Sequence, residues 1–575
     1  MVSALIDFVD AGPGGTRLRA AFGAPRETLV AHEADEVGPL LDAAHRYARD
    51  GAWCLGYVRY EAARAFDAVL PTHEPDGPLA WFAVHDTAQA WPDLAVASHA
   101  PMQWTSALDR DEFDQRIARI HQAIADGEVY QVNLTAPLTS RFDGDALGLF
   151  DALHRAQPAA YAVYLEAGEE RVLSVSPELF FDWRDGRLLG RPMKGTAPRG
   201  ATPDADRAAA ERLRASEKER AENLMIVDLI RNDVSRVAEP FSVQVPRLFH
   251  AQAWPTVWQM TSDVTARTRP GTRLSDVFRA LFPCGSITGA PKRQAMHWIR
   301  RLEAEPRGIY CGAIGVLQPG GAATFNVGIR SVVLREDVAR CGIGSGITCD
   351  ASAAAEWDEW RYKQRFLQRA ALPFELLETL RLENGRFPQA DAHVERLTLA
   401  ATHFGFDCEP GAVRAALARL AVRHPEGAWR VRLLLAPDGR ARAEAHPLAP
   451  TSMPIRVALA KAPIDVDSEF VRFKTTRREH YEAFAPTDAA VFDTLLWNAR
   501  GELTEFTRGN VAVKLDGTWW TPPLHCGLLG GIGRARALRE GRVAERVIRV
   551  EELAQAEGVA FINSLRGWLD ATLPE

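Results

Sequence analysis

A break in the hydrophobic pattern near residue 372 constrains the fold of this chain more than any other feature. The stretch SAAAEWDEWRYKQRFLQRAA (352–371) has a helical pattern that ends at a Leu-Pro pair, and FELLETLRLENG then begins a strand-like pattern. Proline lacks a backbone donor and restricts the residue before it, so a helix usually ends at such a pair. No repeat relates the two sides of the break. We therefore expect two unlike α+β units, residues 1–368 and residues 372–575.

The composition is that of a globular protein and excludes several classes of function. Of 575 residues, 47% are hydrophobic and 25% are charged, and the net charge is −7. This balance predicts no nucleic-acid partner, and no apolar run reaches the roughly 18 to 20 residues that cross a membrane. Seven cysteines are scattered without a Cys-x-x-Cys pair. Together with the lack of a secretory signal pattern, they predict reduced thiols and a cytoplasmic location.

Periodicity predicts the main elements of the first unit. Residues 172–183 and 324–334 are rich in β-branched and aromatic side chains and are predicted to be strands. Residues 210–233 are predicted to form one long helix with Leu224, Val227 and Ile230 on its apolar side. Residues 352–371 are predicted to form a second helix.

Two pairs of glutamates lie on these two predicted helices. Glu219 and Glu222 are three residues apart, as are Glu356 and Glu359, so each pair shares one helical face. Either pair alone is more typical of a solvated surface. Four carboxylates from two helices, however, offer the oxygen ligands that Mg²⁺ prefers, and they are the candidate metal site.

Seven motifs in a fixed order relate the first unit to a known family. Between residues 115 and 365 the chain contains, in this order, YQVNL, SPELFF, AENLMIVDLIRND, FPCGSITGAPKRQAM, RGIYCGAIG, FNVGIRS and GSGITCD followed by EWDE. This set closely resembles the chorismate-utilising enzymes, among them anthranilate synthases, aminodeoxychorismate synthases and isochorismate synthases. The resemblance implies a chorismate-binding α/β sandwich with Mg²⁺ as its cofactor.

The resemblance also implies roles for individual residues. Glu222 and Glu359 match the direct Mg²⁺ ligands, whereas Glu219 and Glu356 match residues that act mainly through water. The positions that match substrate-binding residues are Tyr310 and Arg330 for the enolpyruvyl carboxylate, Gly344 and Gly346 for close backbone contacts, and Gln131, Thr196 and Thr288. A planar guanidinium suits a carboxylate through paired hydrogen bonds, and glycine lets the backbone approach a bound anion.

Lys194 and Gln131 distinguish among the members of this family. Isochorismate synthases need a lysine base to activate water, and Gln131, a neutral amide, matches that position here. Anthranilate synthases usually have alanine at the position of Lys194, whereas PMKGT is similar to the PIKGT of aminodeoxychorismate synthases. The resemblance therefore implies that the Lys194 amine attacks C2 of chorismate and expels the C4 hydroxyl, after which ammonia adds at C4.

The motif set departs from the family at two points. Gln259 in TVWQMTS stands where many relatives have a histidine. The role of that histidine as proton donor is therefore not assigned to any residue of this chain. The chain also lacks the Gly-x-Cys-x-Gly-x-Gln motif of a glutaminase. We therefore expect ammonia from a separate glutamine amidotransferase subunit, as in the two-component enzymes that the chain resembles.

The second unit contains another ordered set of motifs: ETLRL, HVERL, FVRFKTTRREHY, LTEFTRGN, GLLGGIGR and FINSLRG. The set resembles the pyridoxal-phosphate (PLP) enzymes of fold type IV, which include branched-chain aminotransferases and aminodeoxychorismate lyases, and it implies an α+β domain of two subdomains. The matching positions are Lys474 for the covalent link to PLP, Glu505 for the pyridine nitrogen, Arg396, Ile532 and Gly533 for the phosphate, and Asn510 as a lining residue. Gly530 and Gly533 replace a proline and a threonine, so one hydroxyl contact to phosphate is expected to be lost.

The two resemblances together imply a bifunctional enzyme. Its first unit would convert chorismate and ammonia to 4-amino-4-deoxychorismate, and its second unit would eliminate pyruvate to give 4-aminobenzoate for folate synthesis. Two alternatives stay open at this point: an anthranilate synthase fused to a class IV aminotransferase, and a second unit that is a non-catalytic docking domain. The resemblance also allows a homodimer through the second unit.

Overall fold

Helices and strands alternate along the whole chain, which confirms the predicted α+β class. The structure, a computed structural model, describes residues 2–9, 17–92, 99–157, 160–198, 203–253, 257–466 and 468–573. It divides the chain into two units, Met1–Pro373 and Phe374–Glu575, directly after the Leu-Pro pair. Among the described residues, no helix combines the length and the apolar character needed to cross a bilayer.

The strands of unit one form two large sheets. These strands are β1 Ala4–Phe8, β2 Leu18–Phe22, β3 Glu27–Ala31, β4 Trp53–Val58, β5 Ala80–His85, β6 Thr105–Ser106, β7 Gln131–Arg141, β8 Tyr161–Ala167, β9 Glu170–Ser176, β10 Leu179–Arg184, β11 Arg187–Arg191, β12 Met193–Pro198, β13 Gln244–Ala253, β14 Val257–Arg267, β15 Gly289–Ala290, β16 Ala313–Leu317, β17 Ala323–Val327, β18 Ser331–Arg335 and β19 Val338–Ile347. One sheet has the order β15-β7-β19-β18-β9-β8-β1-β2, with β6 beside β7. The other has the order β12-β14-β11-β10-β17-β16-β4-β5-β3, with β13 beside β14.

Helices cover the outer faces of both sheets. They are α1 Ala34–Arg49, α2 Ala63–Phe66, α3 Arg110–Ala125, α4 Ala146–Ala156, α5 Pro203–Ala215, α6 Glu217–Ser235, α7 Leu274–Leu281, α8 Lys292–Leu302, α9 Ala353–Lys363 and α10 Arg365–Ala370. One apolar core joins the two sheets and includes Ile6 and Val163 from one sheet and Leu55 and Val316 from the other. Two further cores lie under the helices on either side, so unit one is the α/β sandwich that was predicted.

Ser216 divides the long helix that was predicted over residues 210–233. Its hydroxyl accepts a hydrogen bond from the Glu219 backbone N–H at 3.3 Å, so it caps α6 and separates this helix from α5. The prediction of one helix is therefore wrong, and Leu224 is exposed although Val227 and Ile230 are buried.

The other predicted elements are also interrupted. The strand predicted over residues 172–183 is two strands, β9 and β10, because Pro177 between them cannot donate to a sheet. The strand predicted over residues 324–334 is β17 and β18, and the helix predicted over 352–371 is α9 and α10. Ser352 begins α9 by accepting a hydrogen bond from the Ala355 backbone N–H at 3.2 Å.

Unit two consists of a small and a large sheet, which are the two predicted subdomains. Its strands are β20 Leu376–Glu383, β21 Ala428–Leu435, β22 Ala441–Pro447, β23 Ile455–Leu459, β24 Asp493–Trp497, β25 Leu503–Phe506, β26 Gly509–Leu515, β27 Thr518–Thr521, β28 Ala544–Glu545, β29 Gly558–Asn563 and β30 Gly567–Thr572. Its helices are α11 Ala390–Phe404, α12 Pro410–Arg423, α13 Glu479–Glu482 and α14 Ile532–Arg539. The small sheet is β20-β21-β22, packed on α11 and α12. The large sheet has the order β25-β24-β23-β30-β29-β26-β27-β28, and a pairing of β25 with β26 closes six strands into a ring.

Candidate active sites

Lys194 lies on strand β12, which is part of a sheet of unit one. This strand pairs with β14, where the exposed Thr196 lies opposite the buried Gln259. Gly195 sits in an irregular part of the pairing with a φ of 90°, a conformation that favours glycine. A Cβ atom at Gly195 would lie 2.8 Å from Glu219 Oε2, so the backbone beside Lys194 passes directly next to α6.

The structure brings the four glutamates of the predicted Mg²⁺ site into the region of Lys194. Glu219 and Glu222 lie on α6, and Glu356 and Glu359 lie on α9. Burial raises the pKa of Glu219, the charges of Glu222 and Glu359 raise it further, and Lys194 opposes them. Burial and the charge of Glu359 likewise raise the pKa of Glu356. These carboxylates therefore repel one another in a partly desolvated place.

The four carboxylates do not converge on one point. In the part of the chain that the structure describes, no three acidic, histidine or cysteine side chains form a ready metal cluster. Ser345 Oγ donates to Glu356, and Lys363 Nζ lies 2.6 Å from Glu359 Oε1. Burial is the main cause of the raised pKa values of Glu219 and Glu356 and repulsion between the carboxylates adds to it, whereas the charge of Lys363 lowers the pKa of Glu359. A divalent cation would relieve the repulsion among these oxygen donors. The residues present thus fit Mg²⁺, and Lys363 is a member of the site that spacing alone leaves out.

Glu178, in the motif SPELFF, is a second residue that sequence reasoning missed. It is buried, and Ser286 Oγ donates a hydrogen bond to its Oε1 at 2.8 Å. Burial raises the pKa of Glu178 to about 7, although the charges of Lys194 and Lys363 oppose this rise. A carboxyl with this pKa near an amine is able to exchange a proton with it at neutral pH. The sequence signal for this residue was a glutamate inside an otherwise apolar strand run.

Gln131 and Gly346 form the wall next to Lys194. A Cβ atom at Gly346 would lie 2.6 Å from Gln131 Nε2 and 3.3 Å from Lys194 Nζ, so only glycine leaves room for both side chains. Gln131 is buried, and within the described residues neither its amide oxygen nor its amide nitrogen has a hydrogen-bond partner. Because an unpaired buried amide is costly, we expect these two atoms to meet a ligand.

Strand β19 presents a row of glycines on the face that Lys194 approaches. Gly342, Gly344 and Gly346 alternate along it and lie opposite every second residue of β7. A Cβ atom at Gly344 would lie 2.4 Å from the Leu134 carbonyl oxygen, and one at Gly342 would lie 2.2 Å from the Tyr310 ring. The two predicted glycines, Gly344 and Gly346, therefore belong to a series of three alternating glycines on one face of β19.

Arg330 has the surroundings expected of a carboxylate receptor. Its guanidinium lies 5.1 Å from the centre of the Phe366 ring, and it has no carboxylate partner in a salt bridge among the described residues. Burial lowers the pKa of Arg330, whereas the neighbouring Cys341 and Tyr310 raise it. A desolvated guanidinium without a counterion favours the binding of an anion.

Thr288 lies at the edge of the same region with its hydroxyl already engaged. It is fully buried, and its Oγ1 donates to the Cys284 carbonyl oxygen at 3.1 Å. Its own carbonyl accepts the Asn133 backbone N–H at 2.9 Å, which ties it to β7. The Thr288 hydroxyl thus stabilises the turn after Cys284, and the Thr288 backbone joins this turn to β7.

In unit two, Lys474 and Glu505 line one cavity of about 740 Å³. The Leu377 backbone N–H donates to the Lys474 carbonyl at 3.0 Å, which holds the lysine beside β20. Burial, together with the charges of Arg478 and Arg396, lowers the pKa of Lys474 to about 8. An enclosed amine with this pKa is suited to forming a covalent bond with a carbonyl group.

Three donors surround the Glu505 carboxylate. The Tyr481 hydroxyl donates to it at 2.6 Å, the Leu529 backbone N–H at 3.1 Å and Asn510 Nδ2 at 3.3 Å. Burial nevertheless raises the pKa of Glu505 to about 7. Asn510 Nδ2 also donates to the Leu529 carbonyl at 2.9 Å, so Asn510 positions Glu505 and the segment before α14 together. Tyr481 was not among the predicted residues.

The predicted phosphate-binding residues meet at the start of α14. Ile532 and Gly533 are the first two residues of this helix, where backbone N–H groups lack partners within the helix. Arg396 Nη1 donates to the Gly530 carbonyl at 3.1 Å, directly before the helix. Gly533 packs against β29, because a Cβ atom there would lie 2.6 Å from the Asn563 carbonyl carbon. A phosphate here would meet both a guanidinium and a helix N-terminus.

Glu378, the first residue of the motif ETLRL and not among the predicted site residues, fixes the direction of Arg396. Arg396 Nε and Nη2 donate to its two oxygens at 2.8 and 2.6 Å, and His393 Nδ1 lies 2.7 Å away. Burial alone would raise the pKa of Glu378, but Arg396 and His393 hold it at about 2. A buried lysine, a carboxylate and a directed guanidinium in one cavity fit PLP.

Comparison with known proteins relates each unit to a family. The model of the chorismate binding enzymes matches residues 14–369, and the model of amino-transferase class IV matches residues 375–573. Aminodeoxychorismate synthase component 1 of Klebsiella aerogenes is 41% identical over 286 residues, which are 50% of this chain and 62% of that protein. Anthranilate synthase component 1 of Methanothermobacter marburgensis is 33% identical over 348 residues, which are 56% of this chain and 75% of that protein.

One solved structure adds to the fold comparison. The crystal structure of anthranilate synthase component I from Streptococcus pneumoniae superimposes with a TM-score of 0.52 at 22% identity, over 64% of this chain and 91% of that chain. It shows a shared fold for unit one. The chain spans 62% of the length of the Klebsiella aerogenes relative, less than two thirds of it. The match over residues 14–369 shows that the chain belongs to the chorismate binding enzyme family, and its second unit is an amino-transferase class IV domain.

Proposed function

We propose that unit one converts chorismate and ammonia to 4-amino-4-deoxychorismate, and that unit two converts this product to 4-aminobenzoate and pyruvate. The observation that carries the proposal is the position of Lys194. Its Nζ lies 3.3 Å from the Cβ position of Gly346, beside the unpaired Gln131 amide. The same Lys194 lies close enough to Glu178 and to the glutamates of α6 and α9 to influence their pKa values.

Lys194 is the proposed nucleophile of unit one, and Glu178 is its proton partner. Glu178 takes a proton from Lys194, whose amine then attacks C2 of chorismate. The ring double bonds shift, the C4–O bond breaks, and Glu178 gives the proton to the departing hydroxyl, which leaves as water. Ammonia then attacks C4 and displaces the Lys194 amine. This assigns to Glu178 the proton transfer that Gln259 is unable to perform.

The remaining residues of unit one bind and orient chorismate. Arg330 and Tyr310 hold the enolpyruvyl carboxylate, and the Gln131 amide contacts the ring substituents. The residues that would hold Mg²⁺ are the four glutamates, Glu219, Glu222, Glu356 and Glu359. When bound, Mg²⁺ would supply Lewis-acid chemistry that favours departure of the hydroxyl.

Unit two is proposed to bind PLP through Lys474, Glu505, Arg396 and the first turn of α14. A bound PLP would supply an electron sink for the carbon that carries the substrate amine. Lys474 would hold the cofactor and serve as the base that removes the C4 proton. Glu505 would keep a proton at the pyridine nitrogen, and its pKa of about 7 allows this exchange. The enolpyruvyl group departs as pyruvate, and the ring becomes aromatic.

Ammonia is proposed to come from a separate glutamine amidotransferase subunit. Support comes from the sequence, which lacks a glutaminase motif, and from relatives whose names denote a component 1. Adding glutamine and such a subunit to the chain should replace the need for ammonium salts. Full activity with ammonium but no gain from any added amidotransferase would contradict this part of the proposal.

The identity of the products tests the proposal. The purified chain is incubated with chorismate, Mg²⁺ and ammonium, with and without PLP, and the products are separated by chromatography. We expect 4-aminobenzoate and pyruvate with PLP, and 4-amino-4-deoxychorismate without it. Anthranilate as the product would favour the rival reading, an anthranilate synthase fused to an aminotransferase. Unchanged 4-aminobenzoate formation without PLP would favour a docking role for unit two.

A further inference from the structure

A buried hydroxyl group contacts Glu178, the proposed proton partner of Lys194. It belongs to Ser286, in the segment between α7 and β15, and 5% of this residue is exposed. Ser286 Oγ lies 2.8 Å from Glu178 Oε1. Among the described residues, no other side chain forms a hydrogen bond with this carboxyl group. Ser286 is therefore well placed to orient the carboxyl group of Glu178.

The hydrogen bonds around Ser286 run in one direction. An ionised carboxylate only accepts hydrogen bonds, so Ser286 uses its single hydroxyl hydrogen to donate to Glu178. Cys284 Sγ lies 3.2 Å from Ser286 Oγ. Burial raises the pKa of the Cys284 thiol to about 12, so this thiol keeps its hydrogen at neutral pH and donates it to Ser286. A chain of hydrogen bonds thus leads from the thiol through the hydroxyl to the carboxylate.

The segment around this serine is anchored by two other side chains. It forms a single 3-10 turn, Gly285–Ile287. Thr288 Oγ1 donates to the Cys284 carbonyl at 3.1 Å, and Arg307 Nη1 donates to the Ile287 carbonyl at 2.9 Å. Because the turn is held on both sides, its hydroxyl determines where the carboxyl group lies and does not simply follow it.

Glu178 faces positive charge from two elements. Burial raises the pKa of Glu178 to about 7, and four groups oppose this rise. In order of effect they are the Ser286 hydroxyl, the charges of Lys194 on β12 and Lys363 on α9, and the Met193 backbone N–H. A hydrogen bond to the charged form of a group favours that form. Loss of the Ser286 hydroxyl should therefore favour protonated Glu178, which is unable to accept a proton from Lys194.

We propose that Ser286 is a positioning residue for the amination of chorismate, because its hydroxyl directs the Glu178 carboxylate and stabilises the ionised form that accepts the Lys194 proton. This inference rests on the proposed function of unit one. Glu178 gains the Lys194 proton and gives it to the departing hydroxyl, while Ser286 and Cys284 keep their hydrogens. The hydrogen bond from Ser286 is strongest before and after these two transfers, when Glu178 is charged.

The pH dependence of amination distinguishes this role from simple support of the fold. We measure kcat/KM for chorismate in the full chain with Mg²⁺ and ammonium. Ser286→Ala should shift the acid limb of the profile upward by about one pH unit, because a hydrogen bond to a charged group contributes at least that much. The loss should be about tenfold near pH 6 and less than about twofold near pH 9. Ser286→Thr keeps a hydroxyl and should restore the original limb.

Ser275→Ala is the matched control for the loss of a buried hydroxyl. Ser275 is 2% exposed, and its Oγ donates to Asp42 Oδ2 at 2.9 Å, which is the same kind of bond in the same unit. Asp42 lies on α1 and is not part of the candidate site. Ser275→Ala should leave the acid limb in place, with a melting temperature similar to that of Ser286→Ala. Equal shifts of the limb in both variants, or a loss in Ser286→Ala of the same size at every pH, would overturn the inference.

Infrared difference spectra separate a failure of this inference from a failure of the proposed function. The carboxyl band that disappears in Glu178→Gln identifies Glu178, and its titration midpoint is measured without turnover. Ser286→Ala should raise this midpoint by about one pH unit. An unchanged midpoint would overturn the inference even if the chain aminates chorismate. A raised midpoint in a chain that forms no 4-amino-4-deoxychorismate would support the pairing of Ser286 with Glu178 and refute the proposed reaction of unit one.

Discussion

Lys194 and Glu178 share a proton in the proposed reaction, so the pKa of Glu178 sets a pH limit on unit one. Burial raises this pKa to about 7, and below that pH a protonated Glu178 is unable to accept a proton from Lys194. We expect kcat/KM for chorismate to fall about tenfold per pH unit below pH 7. Glu178→Gln should lower the rate by about 10²- to 10⁴-fold and remove this limb of the pH–rate profile. An unchanged profile in Glu178→Gln would assign the titration to another group.

At the scale of elements, strand β19 leaves room for the site around Lys194 because glycines alternate along it. Gly346→Ala would place a Cβ atom 2.6 Å from Gln131 Nε2 and 3.3 Å from Lys194 Nζ. We expect kcat/KM for chorismate to fall at least about tenfold, because displacement of a nucleophile by a fraction of an ångström disturbs its alignment. Gly23→Ala is the control, since its Cβ atom would meet only Gln89 Nε2 at 3.4 Å. Steady-state kinetics of both variants test this expectation. Undiminished activity of Gly346→Ala would show that the space beside Gly346 is not needed for the reaction.

The fold, the ends of the elements and the site residues differ in how well the sequence alone predicts them. The resemblances carried by the ordered motifs implied the α/β sandwich and the two subdomains, and apolar periodicity predicted the main helices and strands of unit one, because both signals are local. Element ends were predicted less well, since single residues such as Ser216 and Pro177 interrupt patterns that otherwise continue. Three further site residues, Glu178, Glu378 and Tyr481, are held by contacts with other segments, as in Ser286 with Glu178, and such contacts leave no spacing in the sequence. Lys363 pairs with Glu359 one turn away on α9, but this spacing alone is typical of a surface ion pair.

At the scale of the whole molecule, each unit contains its own candidate site within its own core. The residues around Lys194 belong to unit one, and the residues that line the 740 Å³ cavity belong to unit two. We therefore expect removal of PLP to leave the consumption of chorismate unchanged while it stops the release of pyruvate. Both rates are measured in one reaction before and after PLP is restored. A parallel loss of chorismate consumption would show that the two sites depend on each other.

The fate of chorismate in two lysine variants tests the bifunctional assignment most directly. In the unaltered chain with Mg²⁺, ammonium and PLP, 4-aminobenzoate and pyruvate should form in equal amounts. Lys474→Ala should accumulate 4-amino-4-deoxychorismate and release no pyruvate, whereas Lys194→Ala should form neither product yet still bind Mg²⁺. Unreduced 4-aminobenzoate from Lys474→Ala, or an undiminished amination rate in Lys194→Ala, would contradict the account.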